Sequence, residues 1–286
     1  MICKLRVPIF LAELKTMKRF LLLLLFVANA YLGIAQVSKQ YTIDKDICYR
    51  SDDDYSSKMC LMDIAYRKGQ TDQPVIVLFH GGSLRGGKRS TPSRLYRDGA
   101  VIVGVDYRLT PQVRVTEIID DAACAIAWVM DNIEKWGGDP KKIFVSGLSA
   151  GGYLVTMVGL DKSRLAKYGK DANELAGIIS FSGQTITHTM ERRSRGMSSR
   201  RPLVDSLAPL YHIRKDAAPI LLMTGDRELE SAGRYEENAY LWRMLRVVGH
   251  QDVTLYEFDG YGHNTQEPGY PLLLKFIKEH LNRQNN

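Results

Sequence analysis

Residues 143–152 read I-F-V-S-G-L-S-A-G-G, an apolar, strand-like run that stops abruptly on glycine-rich residues. Within it, Gly147-Leu148-Ser149-Ala150-Gly151 has the form G-x-S-x-G. A serine hydroxyl is a poor nucleophile unless it is held clear of the backbone, where a base takes its proton and donors meet the oxygen that becomes negative. A sharp strand-to-helix turn does this. It also crowds the positions two before and two after the serine, so glycine is wanted at both. Gly147 and Gly151 stand there. The helix predicted from Ala150 to about Gly159 begins directly after Ser149, so its unpaired N–H groups and positive end face any developing oxyanion.

The rest of the chain has the rhythm such a turn needs. Residues 41–48 and 60–67 alternate apolar and polar, which suits an antiparallel hairpin. Residues 75–79 are all apolar and predict a strand buried on both faces, as do 100–105. A helical spacing of apolar residues (Ile118, Ala122, Ala125, Ile126, Val129, Ile133) spans 115–136 and stops at Gly137-Gly138. Further strands are expected at 143–145, 178–181, 220–224 and 253–258, with helices at 234–248 and 270–281. Strand and helix alternate, which predicts an α/β fold whose mostly parallel sheet is covered by helices on both faces. Residues 184–216 interrupt it as a long, Ser- and Arg-rich, lid-like insertion. Its Arg192, Arg193, Arg195, Arg200 and Arg201 read as a solvated basic face, with attraction of an acidic sugar as the alternative.

At 286 residues and 45% hydrophobic, the chain can bury one sizeable core. The formal charge of +7 suggests an anionic partner, yet the first 35 residues hold five basic groups against Glu13, leaving +3 for the remainder. No block of basic and aromatic residues tracks like a nucleic-acid surface. Lys18-Arg19 precede an unbroken apolar run at 20–27, followed by Ala28-Asn29-Ala30 and Gly33-Ile34-Ala35. This is the pattern of a secretory signal peptide cut after Ala30 or Ala35, with Met17 as an alternative start. The apolar stretch is short for a membrane anchor, so no stable span is expected after cleavage. A single domain over 36–286 and a secreted or periplasmic location follow. Export makes a Cys48–Cys60 disulfide across the hairpin possible, with two half-buried thiols as the alternative. Cys124, in an Ala-rich helical run, reads as core. No Cys/His spacing points to a metal.

A serine nucleophile needs a base and an acid to orient that base. His263 follows the 253–258 strand in Asp259-Gly260-Tyr261-Gly262-His263, where the glycines permit a turn. His188, His212, His250 and His280 fall in the insertion, at a helix end or near the C-terminus. Thr224-Gly225-Asp226-Arg227-Glu228 follows the preceding strand and offers two carboxylates, Asp226 and Glu228. One loop also nearly matches a nucleotide signature: Gly82 to Lys88 fits G-x-x-x-x-G-K, but Arg89 replaces the Ser or Thr that would hold magnesium.

Together His80-Gly81-Gly82, Asp106-Tyr107-Arg108-Leu109, Gly147 to Gly151, the Gly225 turn and Gly260 to His263 resemble the α/β-hydrolase superfamily. Within it the chain is similar to secreted esterases akin to hormone-sensitive lipase and to the acetyl and feruloyl esterases. The likeness runs from about residue 60 to the end. It implies an α/β-hydrolase fold and an acid three residues after the turn glycine, which makes Glu228 the favoured acid and Asp226 the alternative. It also implies that the amides of Gly82, Ser83 and Ala150 hold the oxyanion, and that His80 buttresses the loop. Ser83 departs from the glycine of the lipase-like branch, and Leu84 stands where relatives often have an aromatic, so acyl preference is left open. The expected activity is cleavage of small or polysaccharide-linked acyl esters through an acyl-enzyme, with no cofactor. An exopeptidase or formamidase using the same triad, and a binding protein that has lost catalysis, are the rivals.

Overall fold

The computed structural model of the chain describes residue 20 and residues 40–97, 99–231 and 233–284. The leader and its cleavage points lie outside the described residues. Among the described residues no helix is long and apolar enough to cross a membrane. Thr42–Asn286 fall in one compact unit, built on an eight-stranded sheet of order β1-β2-β4-β3-β5-β6-β7-β8.

The hairpin is β1 (Thr42–Cys48) and β2 (Leu61–Tyr66), paired antiparallel. Its connection, expected as a turn, holds the short helix α1 (Asp54–Met59). The cause is local: Asp53 Oδ1 accepts the Ser56 amide at 2.6 Å while Ser56 Oγ accepts the Asp53 amide at 2.9 Å, a reciprocal cap. Cys48 and Cys60 are free thiols, one exposed and one buried. Cys48 pairs with Leu61 across the hairpin, so the side chains of Cys48 and Cys60 belong to opposite faces of the pleat.

β2 also pairs antiparallel with β4 (Val101–Val105), and from there the sheet is parallel: β4 with β3 (Gln73–Phe79), then β5 (Gly138–Leu148), β6 (Gly177–Phe181), β7 (Ile220–Gly225) and β8 (Val253–Phe258). β4, β6 and β7 are buried throughout, as strands covered on both faces must be. The long helix α2 is Val115–Asn132, followed by a 3₁₀ turn and by Gly137 at φ 78°, a left-handed position that ends it. α3 (Ala150–Leu160) follows Ser149, α4 is Lys162–Ala166, α5 (Thr189–Ser194) lies in the insertion, α6 is Arg234–Val247 and α7 is Gln266–Gln284.

Neighbouring residues of β6 show how the faces are covered. Gly177 has no room for a side chain because Phe276 of α7 occupies the space, whereas Ile178 presses on Gly159 of α3. Successive strand residues point to opposite faces, so α7 and α3 cover opposite sides of the sheet. Parallel register then levels the strand ends. Leu148 pairs with Phe181, Phe181 with Met223, and Gly225 with Phe258. Ser149, Ser182, Glu230 and His263 therefore all follow the carboxyl ends of adjacent strands, the edge where open α/β sheets place ligands.

Candidate active site

Ser149 sits at φ 55°, ψ −111°, between β5 and α3. A non-glycine residue there is strained and persists only where the surroundings over-determine it. Those surroundings are backbone. A Cβ on Gly147 would lie 2.4 Å from the Gly151 carbonyl carbon, and one on Gly151 would lie 2.0 Å from the Phe79 oxygen. The Ser149 amide donates to Phe181 O at 2.8 Å and its carbonyl accepts the Tyr153 amide at 2.9 Å. Both glycines of the motif are thus fixed by close approach, as expected.

The loop after β3 stands against this turn. A Cβ on Gly81 would lie 3.6 Å from Ser149 Cβ, and Gly82, Ser83 and Leu84 all have positive φ (111°, 55° and 57°). Among the described residues, the amides of Gly82, Ser83 and Ala150 have no hydrogen-bond acceptor, and Gly82 and Ser83 are exposed. His80 buttresses the loop: its ring stacks on Tyr107 with centroids 4.2 Å apart, Nε2 lies 3.3 Å from Asp106 Oδ1, and Tyr107 donates its hydroxyl to His80 O at 2.7 Å. Asp106 is held low: burial pushes it up, but hydrogen bonds from His80 and Arg89 outweigh that. The nucleotide-like run does not form a cradle. Gly86 O folds onto Gly82 and Gly87 packs against His80, while Arg89 pairs with Asp106 and with Asp63 at 2.8 Å. Leu84 is fully buried in the main core, so it does not line an acyl pocket.

His263 is brought to the same edge, and its partner is neither expected carboxylate. Nδ1 lies 2.5 Å from Glu230 Oε1. Glu228 is exposed, and Asp226 uses its carboxylate to tie two loops, accepting the Glu228 amide at 2.8 Å and the Gly260 amide at 3.0 Å. The chain after β7 makes one helical turn, with the Leu229 and Glu230 amides donating to Asp226 O at 3.0 and 2.8 Å. That turn carries the inward position two residues beyond Glu228. The Glu230 carboxylate is 0% exposed and accepts from Ser182 Oγ (2.5 Å), the Gly225 amide (3.1 Å) and the Ser231 amide (2.7 Å). Burial raises its pKa, but the hydrogen bonds from His263, Ser182 and Ser231 prevail and hold it down at about 2. Ser182, at φ 46° and buried, had no sequence signal; it follows Phe181, whose oxygen takes the Ser149 amide. Ser182 thereby joins the two halves of the site.

The insertion is less open than its composition suggests. Arg192 is buried and donates to the carbonyls of Thr187, Ser199 and Arg201, and Arg195 pairs with Glu191 and Asp205. Arg193, Arg200 and Arg201 are exposed, as a solvated face requires. Tyr153 of α3 donates to Leu207 O at 2.7 Å, which seats the insertion on the helix that begins after Ser149. Among the described residues no cluster of three or more His, Cys, Asp or Glu side chains is placed to hold a metal.

Comparison with known proteins follows these features. The sequence profile of the BD-FAE family matches residues 62–230, more than half of the chain. The chain belongs to the BD-FAE family. The match takes in the β3 loop, the Ser149 turn and Glu230. Beyond the BD-FAE profile, the chain is 29% identical over 232 residues to Esterase LipC of Mycobacterium tuberculosis, which covers 71% of this chain. The chain spans only 56% of that relative's length. Among solved structures it resembles a truncated carbohydrate esterase from gut microbiota (TM-score 0.71, 18% identity, 84% of this chain and 97% of that one). It also resembles butyrate-bound esterase 2 of Thermogutta terrifontis (TM-score 0.65, 21% identity, 85% and 94%). At these identities the structures establish the α/β-hydrolase fold.

Proposed function

We propose that the protein is a serine carboxylic-ester hydrolase that works through an acyl-enzyme. The observation that carries this is the His263–Glu230 pair, set on the same sheet edge as the strained Ser149 turn and joined to it through Ser182. Ser149 Oγ attacks the ester carbonyl while His263 Nε2 takes its proton. Glu230, already accepting from Nδ1–H, stabilises the imidazolium that forms. The amides of Gly82, Ser83 and Ala150 receive the oxyanion. Return of the proton to the leaving oxygen releases the alcohol, and water then attacks the acyl-enzyme by the same route. This chemistry uses side chains and amides of the chain alone.

Membership of the BD-FAE family and the esterase relative support ester cleavage. The finer reading, removal of acetyl or feruloyl groups from polysaccharide by an exported enzyme, rests on the resemblance of the motifs to acetyl and feruloyl esterases and on the leader-like N-terminus. Hydrolysis of 4-nitrophenyl acetate by the wild type and by Ser149→Ala tests the core of it, together with labelling by a fluorophosphonate probe. The wild type is expected to turn over and to be labelled on Ser149. Equal slow turnover in the two proteins would end the proposal. A panel of acetylated and feruloylated sugars against simple short- and long-chain esters tests the substrate class.

A further inference from the structure

Two positions beyond His263 stands a hydroxyl that the proposed mechanism does not use. Thr265 is 0% exposed and directly precedes α7, whose first turn it opens by accepting the Gly269 amide on its carbonyl at 3.0 Å. A threonine in that place ordinarily turns its hydroxyl onto an unpaired amide of the first helical turn. The third residue of this helix is Pro268, which has no N–H to offer. Among the described residues the Thr265 hydroxyl meets no amide of that turn; it meets Ser182, with Oγ1 3.3 Å from Oγ.

A proton count gives the direction of this contact. Ser182 has a single hydroxyl proton. Its Oγ lies 2.5 Å from Glu230 Oε2, and an ionised carboxylate only accepts, so the proton goes there. Ser182 has lone pairs left for its second contact, and Thr265 is therefore the donor.

The bonds then close on themselves. Thr265 donates its hydroxyl to Ser182, Ser182 donates to Glu230, Glu230 accepts from His263 Nδ1 at 2.5 Å, and the Thr265 amide donates to His263 O at 3.1 Å. Ser182 follows β6 and its amide is fixed on Met223 O at 2.7 Å, Glu230 lies in the turn after β7, and His263 and Thr265 lie between β8 and α7. The ring thus ties three adjacent strand ends. Ser182, Thr265 and the Glu230 carboxylate are 0% exposed, whereas the His263 side chain is 33% exposed. In such a dry setting, bonds in which one hydroxyl both accepts and donates polarise one another.

We propose that Thr265 is a positioning residue for the triad, its hydroxyl directing that of Ser182 onto Glu230 and so holding the imidazole of His263. The inference rests on the serine-esterase reading above and extends it to a side chain outside the triad. Thr265 touches neither the ester nor Ser149; it acts through Ser182 and through the loop that carries the base.

A double-mutant cycle on the full chain, with 4-nitrophenyl acetate as substrate, tests this. Thr265→Val replaces the hydroxyl by a methyl at nearly the same volume and should lower kcat about five- to tenfold with KM little changed. Thr265→Ser, which keeps the hydroxyl, should stay within about twofold of wild type. In Ser182→Ala, where the accepting oxygen is gone, adding Thr265→Val should cost less than about twofold more, whereas a packing role would give the same loss in both backgrounds. The His263 Nδ1 proton, in a short bond to a carboxylate, gives a proton NMR signal downfield of the amides; Thr265→Val should shift or broaden it and Thr265→Ser should leave it in place. A Thr265→Val kcat within twofold of wild type, an equal loss in both backgrounds, a serine variant as impaired as the valine one, or an unmoved signal overturns the inference while leaving the esterase intact. If Thr265→Val does not fold by circular dichroism, Thr265→Ala is held to the same outcomes. If Ser149→Ala matches the wild type, the esterase reading falls, and the NMR comparison alone still decides whether Thr265 holds the imidazole.

Discussion

Glu230 Oε1 stands 2.5 Å from His263 Nδ1, although 33 positions separate the two residues in the chain. Both lie in turns that follow neighbouring parallel strands, and level strand ends bring them together. In the proposed mechanism this contact fixes the imidazole tautomer. Glu230→Gln should therefore lower kcat on 4-nitrophenyl acetate by about 10³- to 10⁴-fold. Glu228→Gln, altering an exposed side chain, should stay within about threefold of wild type. Ser182→Ala removes one donor to a buried carboxylate and should cost about 10- to 100-fold in kcat with KM little changed. Steady-state kinetics on the three variants decides the matter, and a large loss in Glu228→Gln alone would restore the acid that the family resemblance implied.

Stability should depend on pH through the same carboxylate. The folded state holds Glu230 at about 2, below its ordinary 4.5. A depressed acid contributes stability above its ordinary value and loses it as pH falls through the folded value. A shift of that size corresponds to about 3 kcal/mol. Urea midpoints for wild type and Glu230→Gln should therefore differ most above pH 4.5, and the gap should close steadily towards pH 2. A gap independent of pH would show that the carboxylate is not specially stabilised in the fold.

The glycines around Ser149 give a steric prediction. Gly151→Ala puts a methyl 2.0 Å from Phe79 O, and Gly147→Ala puts one 2.4 Å from the Gly151 carbonyl carbon. Backbone cannot yield as a side chain does, so each change should cost about 3 kcal/mol or more and over about 100-fold in kcat/KM. Gly86→Ala, where nothing lies within 4 Å, is the control and should be close to neutral. Thermal melts and kinetics on the three proteins separate strain at the turn from a general intolerance of the chain.

Thiol chemistry should be uneven. Cys48 is exposed, whereas burial pushes the Cys60 thiol up to about 12 and raises Cys124 as well. The thiolate is the reacting species. Iodoacetamide labelling followed by peptide mapping should therefore modify Cys48 first, and Cys60 and Cys124 only under denaturing conditions. Recovery of a Cys48–Cys60 linked peptide from native protein would contradict the opposite-face arrangement.

Hydrophobic runs and glycine spacing made the sheet, the Ser149 turn and the His263 loop readable, because each leaves a mark in residue type. Glu230 left none. After β7, Leu229 is exposed while Glu230 is buried, the inverse of what burial preference favours, so apolar pattern points away from the residue that meets His263. Its inward position depends on the helical turn closed on Asp226 O, a backbone bond with no letter of its own. The α1 helix was hidden for a related reason: an Asp53–Ser56 cap stabilises six residues that look like an acidic turn. Arg192 reads as a surface charge and is instead the internal tie of the insertion, since its partners are carbonyls spread over residues 187–201.

The contact between Gly151 and Phe79 O has a bearing on how such a molecule diversifies. Main-chain packing alone sets the height of the Ser149 hydroxyl above the sheet, so no residue lining the approach to it is needed to keep it there. The insertion and the rim can then be rewritten one side chain at a time, while the proposed nucleophile stays where the scaffold put it.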